Sequence, residues 1–220
     1  MITLYDYELS ATSYAVRLLL AVLQLPHERI EIDVHPGREH ESAWFLELNP
    51  LGQLPVIDDG GFILRDVHSI LIYLAEQYDP ADRWCPREDA ATLATIRAWL
   101  AFAGRLSGTA GAARLHDTML GDGEIDVEKS RKAGHALLRL LDEHLWFAEQ
   151  DRQRWLCGAE HPTIADIACF PHVMLCEEGG ISRLPYPSVR RWTDRVKRIP
   201  HFLPMSGIFG AAPERDGSVP

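Results

Sequence analysis

Three hydroxyl side chains, Ser10, Thr12 and Ser13, stand just ahead of a run in which Val16, Leu19, Leu20 and Leu23 recur at helical spacing. A hydroxyl at the amino end of a helix can accept a hydrogen bond from a free backbone N–H, or it can donate its own hydrogen to an anion that the helix dipole also attracts. The sequence leaves both uses open. Tyr5 and Tyr7 add two further acids on the preceding alternating run, where packing is the commoner role. The cysteines offer less. Cys85, Cys157, Cys169 and Cys176 form no C-x-x-C pair and no Cys/His cluster of metal-binding spacing, so isolated thiols of a reducing compartment are expected and no metal. Two other local signals carry geometry. Leu54-Pro55 opens a strand-like run where proline need not donate and where the bond can be held cis. Thr163 lies three residues before Asp166, a spacing in which hydroxyl and carboxylate reciprocally cap a helix start.

The elements that must position these residues follow from periodicity. Ile2 to Tyr7, His27 to Val34 and Leu54 to Asp58 read as strands, and Gly60-Gly61 turns the last of these into a fourth, Phe62 to Leu64. The first helix lies between the first two strands, a short one over Ser42 to Leu48 follows, and Val67 to Tyr78 turns Ile70, Leu71, Leu74 and Ala75 inward. This βαβαββα order predicts a thioredoxin-like α/β domain over residues 1–79. Asp79 to Pro86, with two prolines and no period, separates it from an all-α helical bundle over 87–220. There the predicted helices are Arg87 to Arg105, Val127 to Glu149, Thr163 to Cys176 with Pro171 as a kink, and Ser188 to Ile199. Pro200 to Pro220 reads as a surface segment with a loose end.

Charge excludes some partners. Of 220 residues, 22 are Lys or Arg and 32 Asp or Glu, a net charge of −10 that repels nucleic acid. Residues 1–80 hold four cations against thirteen anions and no lysine, which marks the first domain off from the second. No apolar run approaches the roughly 20 residues of a membrane span, and the amino terminus carries no export pattern, so a cytoplasmic protein is expected.

The string Asn49-Pro50-Leu51-Gly52-Gln53-Leu54-Pro55-Val56, continued by Leu64-Arg65-Asp66-Val67-His68-Ser69-Ile70, resembles the amino-terminal half of cytosolic glutathione transferases. Gly158 to Ala168 resembles the box that opens their central carboxy-terminal helix, and Leu9 to Arg17 their first turn. The likeness is greatest to bacterial, serine-type (theta-like) members, with Arg65-Asp66 and Pro204 to Ile208 among the matching residues.

The resemblance implies glutathione as co-substrate and a homodimer. It puts Ser10 in the catalytic place, donating to the sulfur, with Ser13 second. His40 and Gln53 would hold the glycine carboxylate, Leu54 before a cis Pro55 the cysteinyl backbone, and Asp66 and Val67 the γ-glutamyl end. Position 67 is usually serine in the family, so Val67 leaves that carboxylate one hydroxyl short. Arg105, Arg114, His116 and Met119 fall where the family builds its electrophile pocket. The expected reaction is attack of the glutathione thiolate on a small electrophilic carbon, for detoxification or catabolism. A maleylacetoacetate-type isomerase is the alternative reaction, although Ser10-Ala11-Thr12 lacks the Ser-Ser-Cys run of those relatives. The alternative of another class is a binding protein that keeps the fold without turnover. The absence of cysteine before Trp84 argues against the cysteine-type thiol reductases.

Overall fold

A computed structural model describes residues 1–120 and 125–210 of the chain. β1 (Ile2–Asp6) and β2 (His27–Glu31) pair in parallel, which requires a crossover, and α1 (Ala11–Val22) supplies it. β3 (Val56–Asp59) runs antiparallel to β1 with Tyr5 opposite Val56, and β4 (Phe62–Arg65) antiparallel to β3, so the sheet order is β2-β1-β3-β4. Gly60 and Gly61 make that last hairpin with φ of +62° and +97°, a backbone path that favours glycine at both positions. Between β2 and β3 lie a 3₁₀ turn at Glu39–Glu41 and α2 (Ala43–Leu48), and α3 (Val67–Tyr78) follows β4.

Alternation along β1 divides the layers. Ile2 and Leu4 point into the core shared with α1 and α3, whereas Tyr5 packs with Ile32, Phe45 and Val56 on the α2 side. Tyr5 is therefore a packing residue.

The second part is helical, as expected, but its start and middle differ. α4 runs Ala90–Leu106 and not from Arg87, because Asp89 accepts from the Ala91 and Thr92 nitrogens at 3.0 and 3.1 Å and fixes the first turn. Where a break was expected after Arg105, the chain stays helical through a π-turn at Ser107–Gly111, α5 (Ala112–Leu115) and a second π-turn at His116–Leu120. Gly108 and Gly111 suggest a break locally, but packing against α6 (Val127–Gln150) and the 3₁₀ turn Leu175–Gly179 overrides propensity. α7 (Ile164–Met174) is buried along its whole length against α4 and α1, and α8 (Pro187–Val196) closes the bundle. Pro171 lies inside α7, where it lacks the backbone donor. The predicted capping box forms: Thr163 N donates to Asp166 at 2.9 Å and Ala165 N to Thr163 Oγ1 at 3.3 Å. One apolar core runs from β1 through α1 and α3 into α7 and α8, so the two parts are packed together.

Residues 200–210 are more tied down than a loose surface segment. Tyr14 Oη donates to the Leu203 carbonyl at 2.6 Å, and Met205 and Ile208 exchange backbone bonds of 3.0 and 2.8 Å. The remainder of that predicted tail, 211–220, lies outside the described residues. Among the described residues no helix is long and apolar enough to cross a membrane.

Gly179 shows how closely the helical part approaches α5. A β-carbon there would lie 2.5 Å from the Arg114 nitrogen and 2.8 Å from the Ala113 carbonyl carbon, both backbone atoms that cannot swing aside. Gly179→Ala should therefore cost about 2 kcal/mol and lower the melting temperature by about 4 to 8 °C. A melting curve superimposable on the wild type would show that α5 shifts without cost.

Candidate active site

The turn between β1 and α1 is held from two sides. Ser10 N donates to the Tyr7 carbonyl at 3.0 Å, closing the turn. Arg17, buried on α1, ion-pairs with the Glu8 carboxylate and donates to the Glu8 carbonyl at 2.6 Å. From the helical part, Arg114 donates to the Leu9 carbonyl at 2.8 Å while its Nε is fixed by Glu178 at 2.6 Å. Arginine suits this work because its planar fork offers several donors in fixed directions.

What the turn presents is Ser10. Its Oγ accepts from Ser13 N at 3.1 Å, so the residue caps α1. The same oxygen lies 2.9 Å from Thr12 Oγ1, and Thr12 Oγ1 donates to the Leu54 carbonyl at 3.2 Å. Each hydroxyl has one hydrogen. Since that of Thr12 goes to Leu54, the hydrogen between the two oxygens belongs to Ser10, and it can swing to an incoming anion while the oxygen goes on capping the helix. The two roles left open by the sequence are compatible in one residue.

A cavity of about 330 Å³ opens over this turn. The α/β part lends it Tyr7, Ser10, Thr12, Val34, His40 and Leu54, and the helical part Ala110, Gly111, Arg114, Leu115, Met119, His172 and Leu175. Seven of the residues singled out in the sequence thus come together: Tyr7, Ser10, Thr12, His40, Leu54, Arg114 and Met119. Pro55 is buried next to them and its bond to Leu54 is cis. His40 turns Nδ1 inward with no partner among the described residues, and its Nε2 is 3.6 Å from Glu41.

Other candidates sit elsewhere. Gln53 and Asp66 are exposed and outside this cavity. Asp66, at φ +78°, caps α3 by accepting from Ser69 N at 2.8 Å, and Val67 is the first residue of that helix, half-buried against the core. Ser13, the second choice, is corrected: it is fully buried, its hydroxyl has no partner among the described residues, and it does not line the cavity. Arg105 is corrected too. It faces a separate hollow with Gly108, Thr109 and Leu137, because it adjoins Leu106, whose side chain takes the inward direction. His116 pairs with Asp117 at 2.8 Å and does not line the cavity. In the π-turn, residues five apart share a face, so Met119 aligns with Arg114 and His116 is rotated away.

Burial sets the protonation states. It pushes the Tyr7 phenol up, with Asp33 adding to the effect, so Tyr7 remains a protonated donor. It pushes the thiol of Cys85 up to about 11 and those of Cys157 and Cys176 to about 12, so the chain's own cysteines do not compete as thiolates. Among the described residues no group of three or more His, Cys, Asp or Glu could hold a metal ion. The arrangement therefore offers a donor and a helix amino terminus to one anion, beside a largely apolar chamber with Arg114 and His172 in its wall. Sequence reasoning missed Thr12 as a bridge to Leu54 and His172 altogether. The only sign of the latter was a histidine within the apolar run Ala168 to Met174.

A family model described as "Glutathione S-transferase, N-terminal domain" matches residues 4–82. The chain is 30% identical over 208 residues to glutathione S-transferase GstB of Escherichia coli (strain K12), covering 91% of this chain and 95% of that protein. It is 28% identical over 224 residues to a maleylacetoacetate isomerase of Pseudomonas aeruginosa, covering 90% and 92%. Among solved structures, a glutathione S-transferase from Pseudomonas fluorescens superimposes with a TM-score of 0.82 at 28% identity, covering 93% of this chain and 98% of that one.

Proposed function

The chain belongs to the glutathione S-transferase family, and from that premise we propose that it joins the glutathione thiolate to a small electrophilic carbon, with Ser10 stabilising the sulfur anion. The observation that carries this reading is the hydroxyl of Ser10: its oxygen caps α1, its hydrogen is free to turn, and it lies in the wall of a chamber walled on the other side by the helical part. A thiol of ordinary pKa, about 8.5, is mostly protonated at neutral pH, so a donor that favours S⁻ raises the reactive fraction. The tripeptide's place in this reading runs from His40 and Gln53 past the Leu54 backbone to Asp66 and Val67, along residues 1–79, and the electrophile sits against Arg114 and Met119 of residues 87–220. A homodimer working in the cytoplasm on reactive compounds belongs to the same reading. Retention on immobilised glutathione, followed by turnover of a panel of chloronitrobenzenes and unsaturated carbonyls, tests it. Retention with no turnover on any of them would leave a binding protein.

Val67 gives a sharper expectation. As the first residue of α3 it offers a backbone N–H and the helix amino terminus to the γ-glutamyl carboxylate, but no hydroxyl. Val67→Ser adds a donor worth about 1.5 to 3 kcal/mol to a charged acceptor, so glutathione should bind roughly tenfold more tightly. The same change removes apolar contact with the core and should cost about 1 kcal/mol of stability. Val67→Ala reproduces the stability loss without the gain in affinity. Calorimetric titration checks it, and an unaltered dissociation constant in Val67→Ser would remove position 67 from the site.

A further inference from the structure

His172 on α7 is only 6% exposed, and since it lines the cavity over Ser10, that exposure is to the cavity. Neither ring nitrogen has a hydrogen-bond partner among the described residues. Nδ1 is sealed against the chain next to Gly111, where a β-carbon would lie 3.4 Å away, which leaves Nε2 to serve a ligand. An unsatisfied polar group in a helix buried along its whole length costs free energy that a bound acceptor would recover. Burial, reinforced by the positive charges of His68 and Arg114, pushes the imidazole down to about 4, so near neutral pH it is uncharged with one N–H. Arg114 acts on the same space. Its Nε is ion-paired with Glu178, and its charge opposes the rise that burial and Asp33 impose on the Tyr7 phenol. The rest of the wall, Ala110, Leu115, Met119 and Leu175, is apolar.

Resting on the transferase reading, we propose that His172 and Arg114 select electrophiles that carry an anionic tail: a carboxylate on an otherwise apolar, ring-sized molecule, accepting from His172 Nε2–H and facing the Arg114 guanidinium. The bond-forming step is the ordinary one. In an aromatic substitution the thiolate sulfur bonds to the ring carbon and chloride leaves with the electron pair of the C–Cl bond, the thiol proton having passed to solvent.

Two glutathione conjugates separate this selectivity from turnover: the product of 4-chloro-3-nitrobenzoate and that of its methyl ester, each titrated calorimetrically into the full chain. The acid conjugate should bind about tenfold more tightly, the worth of one hydrogen bond to a charged group, and the gap should fall below threefold in His172→Leu. Equal affinities in the wild type overturn the proposal whether or not the variant folds. So does a gap that survives in a folded His172→Leu, and so does failure of both conjugates to bind. Turnover of the parent acid and ester is measured separately. A preference in binding without turnover of either sinks the transferase reading and keeps the selective site, whereas equal turnover with equal binding keeps the transferase and sinks the site.

Discussion

Ser10→Ala is expected to slow conjugation by roughly 10² to 10⁴, the range over which a single positioned proton donor or acceptor acts. The variant should still bind glutathione, since the proposed reading gives the tripeptide's other contacts to different residues. What changes is the sulfur. Without a donor the bound thiol's pKa rises towards the free value of about 8.5, so at neutral pH the thiolate fraction falls, and raising the pH should restore part of the lost rate. The thiolate's ultraviolet absorbance followed against pH measures this directly. Because Ser10 also accepts from Ser13 N, its loss should cost about 1 kcal/mol of helix capping, seen as a melting temperature lower by a few degrees. That cost is too small to account for the rate. Ser13→Ala is the control, as its hydroxyl is buried away from the cavity. If Ser10→Ala turned over at the wild-type rate, the role would pass to Tyr7, which lines the same cavity with its proton retained.

The parts of this site that the sequence reveals are those fixed by neighbours in the chain. Ser10 at the end of a strand and the start of a helix, the glycine hairpin at Gly60-Gly61, and the Thr163–Asp166 cap all depend on residues within a few positions, so their spacing is sufficient. The strands and most helices are legible for the same reason, because an alternating or 3.6-residue pattern is itself the record of one buried face.

The missed features depend on contacts between distant elements. Arg105 and His116 fall at the right distance along the chain but on the wrong side of it: Arg105 stands beside the inward-facing Leu106, and the π-turn at Ser107–Gly111 rotates the residues after it, His116 among them. A glycine-containing segment gives no local sign of that, since packing against α6 and the turn Leu175–Gly179 decides it. Ser10 and Ser13 are equivalent by composition, and only the direction of α1 against α7 and the sheet sends one to the cavity and the other into the core. His172 looks like one more core residue until the residues across from it prove to include Arg114 and Gly111.

Asp166 should be the residue whose loss costs most stability. It is fully buried and lies outside the cavity, yet three N–H groups converge on its carboxylate: Thr163 N at 2.9 Å, Leu156 N at 3.2 Å and Trp192 Nε1 at 2.8 Å. These tie together the segment before α7, the start of α7 and the middle of α8. Burial pushes the carboxyl up while the three donors hold it down, so the site is built around an acceptor. Asp166→Ala removes that acceptor and leaves the donors sealed from water, each orphan costing about 1 to 3 kcal/mol, so a total loss of roughly 4 kcal/mol or more is expected. Set against a typical stability of about 5 to 15 kcal/mol, that is enough to populate the unfolded state appreciably. Thr163→Ala, which deletes only the hydroxyl half of the cap, should cost about 1 kcal/mol. Chemical denaturation of the two variants decides between a cap and a hub. If Asp166→Ala lost no more than Thr163→Ala, the three donors would have to be satisfied by water or by a shifted backbone, and the carboxylate would be only the second half of a helix cap. Should the larger loss be found, α7, which packs on both α1 and α4, would carry it into both parts of the chain, and α/β and helical signals would melt together at the lower denaturant concentration.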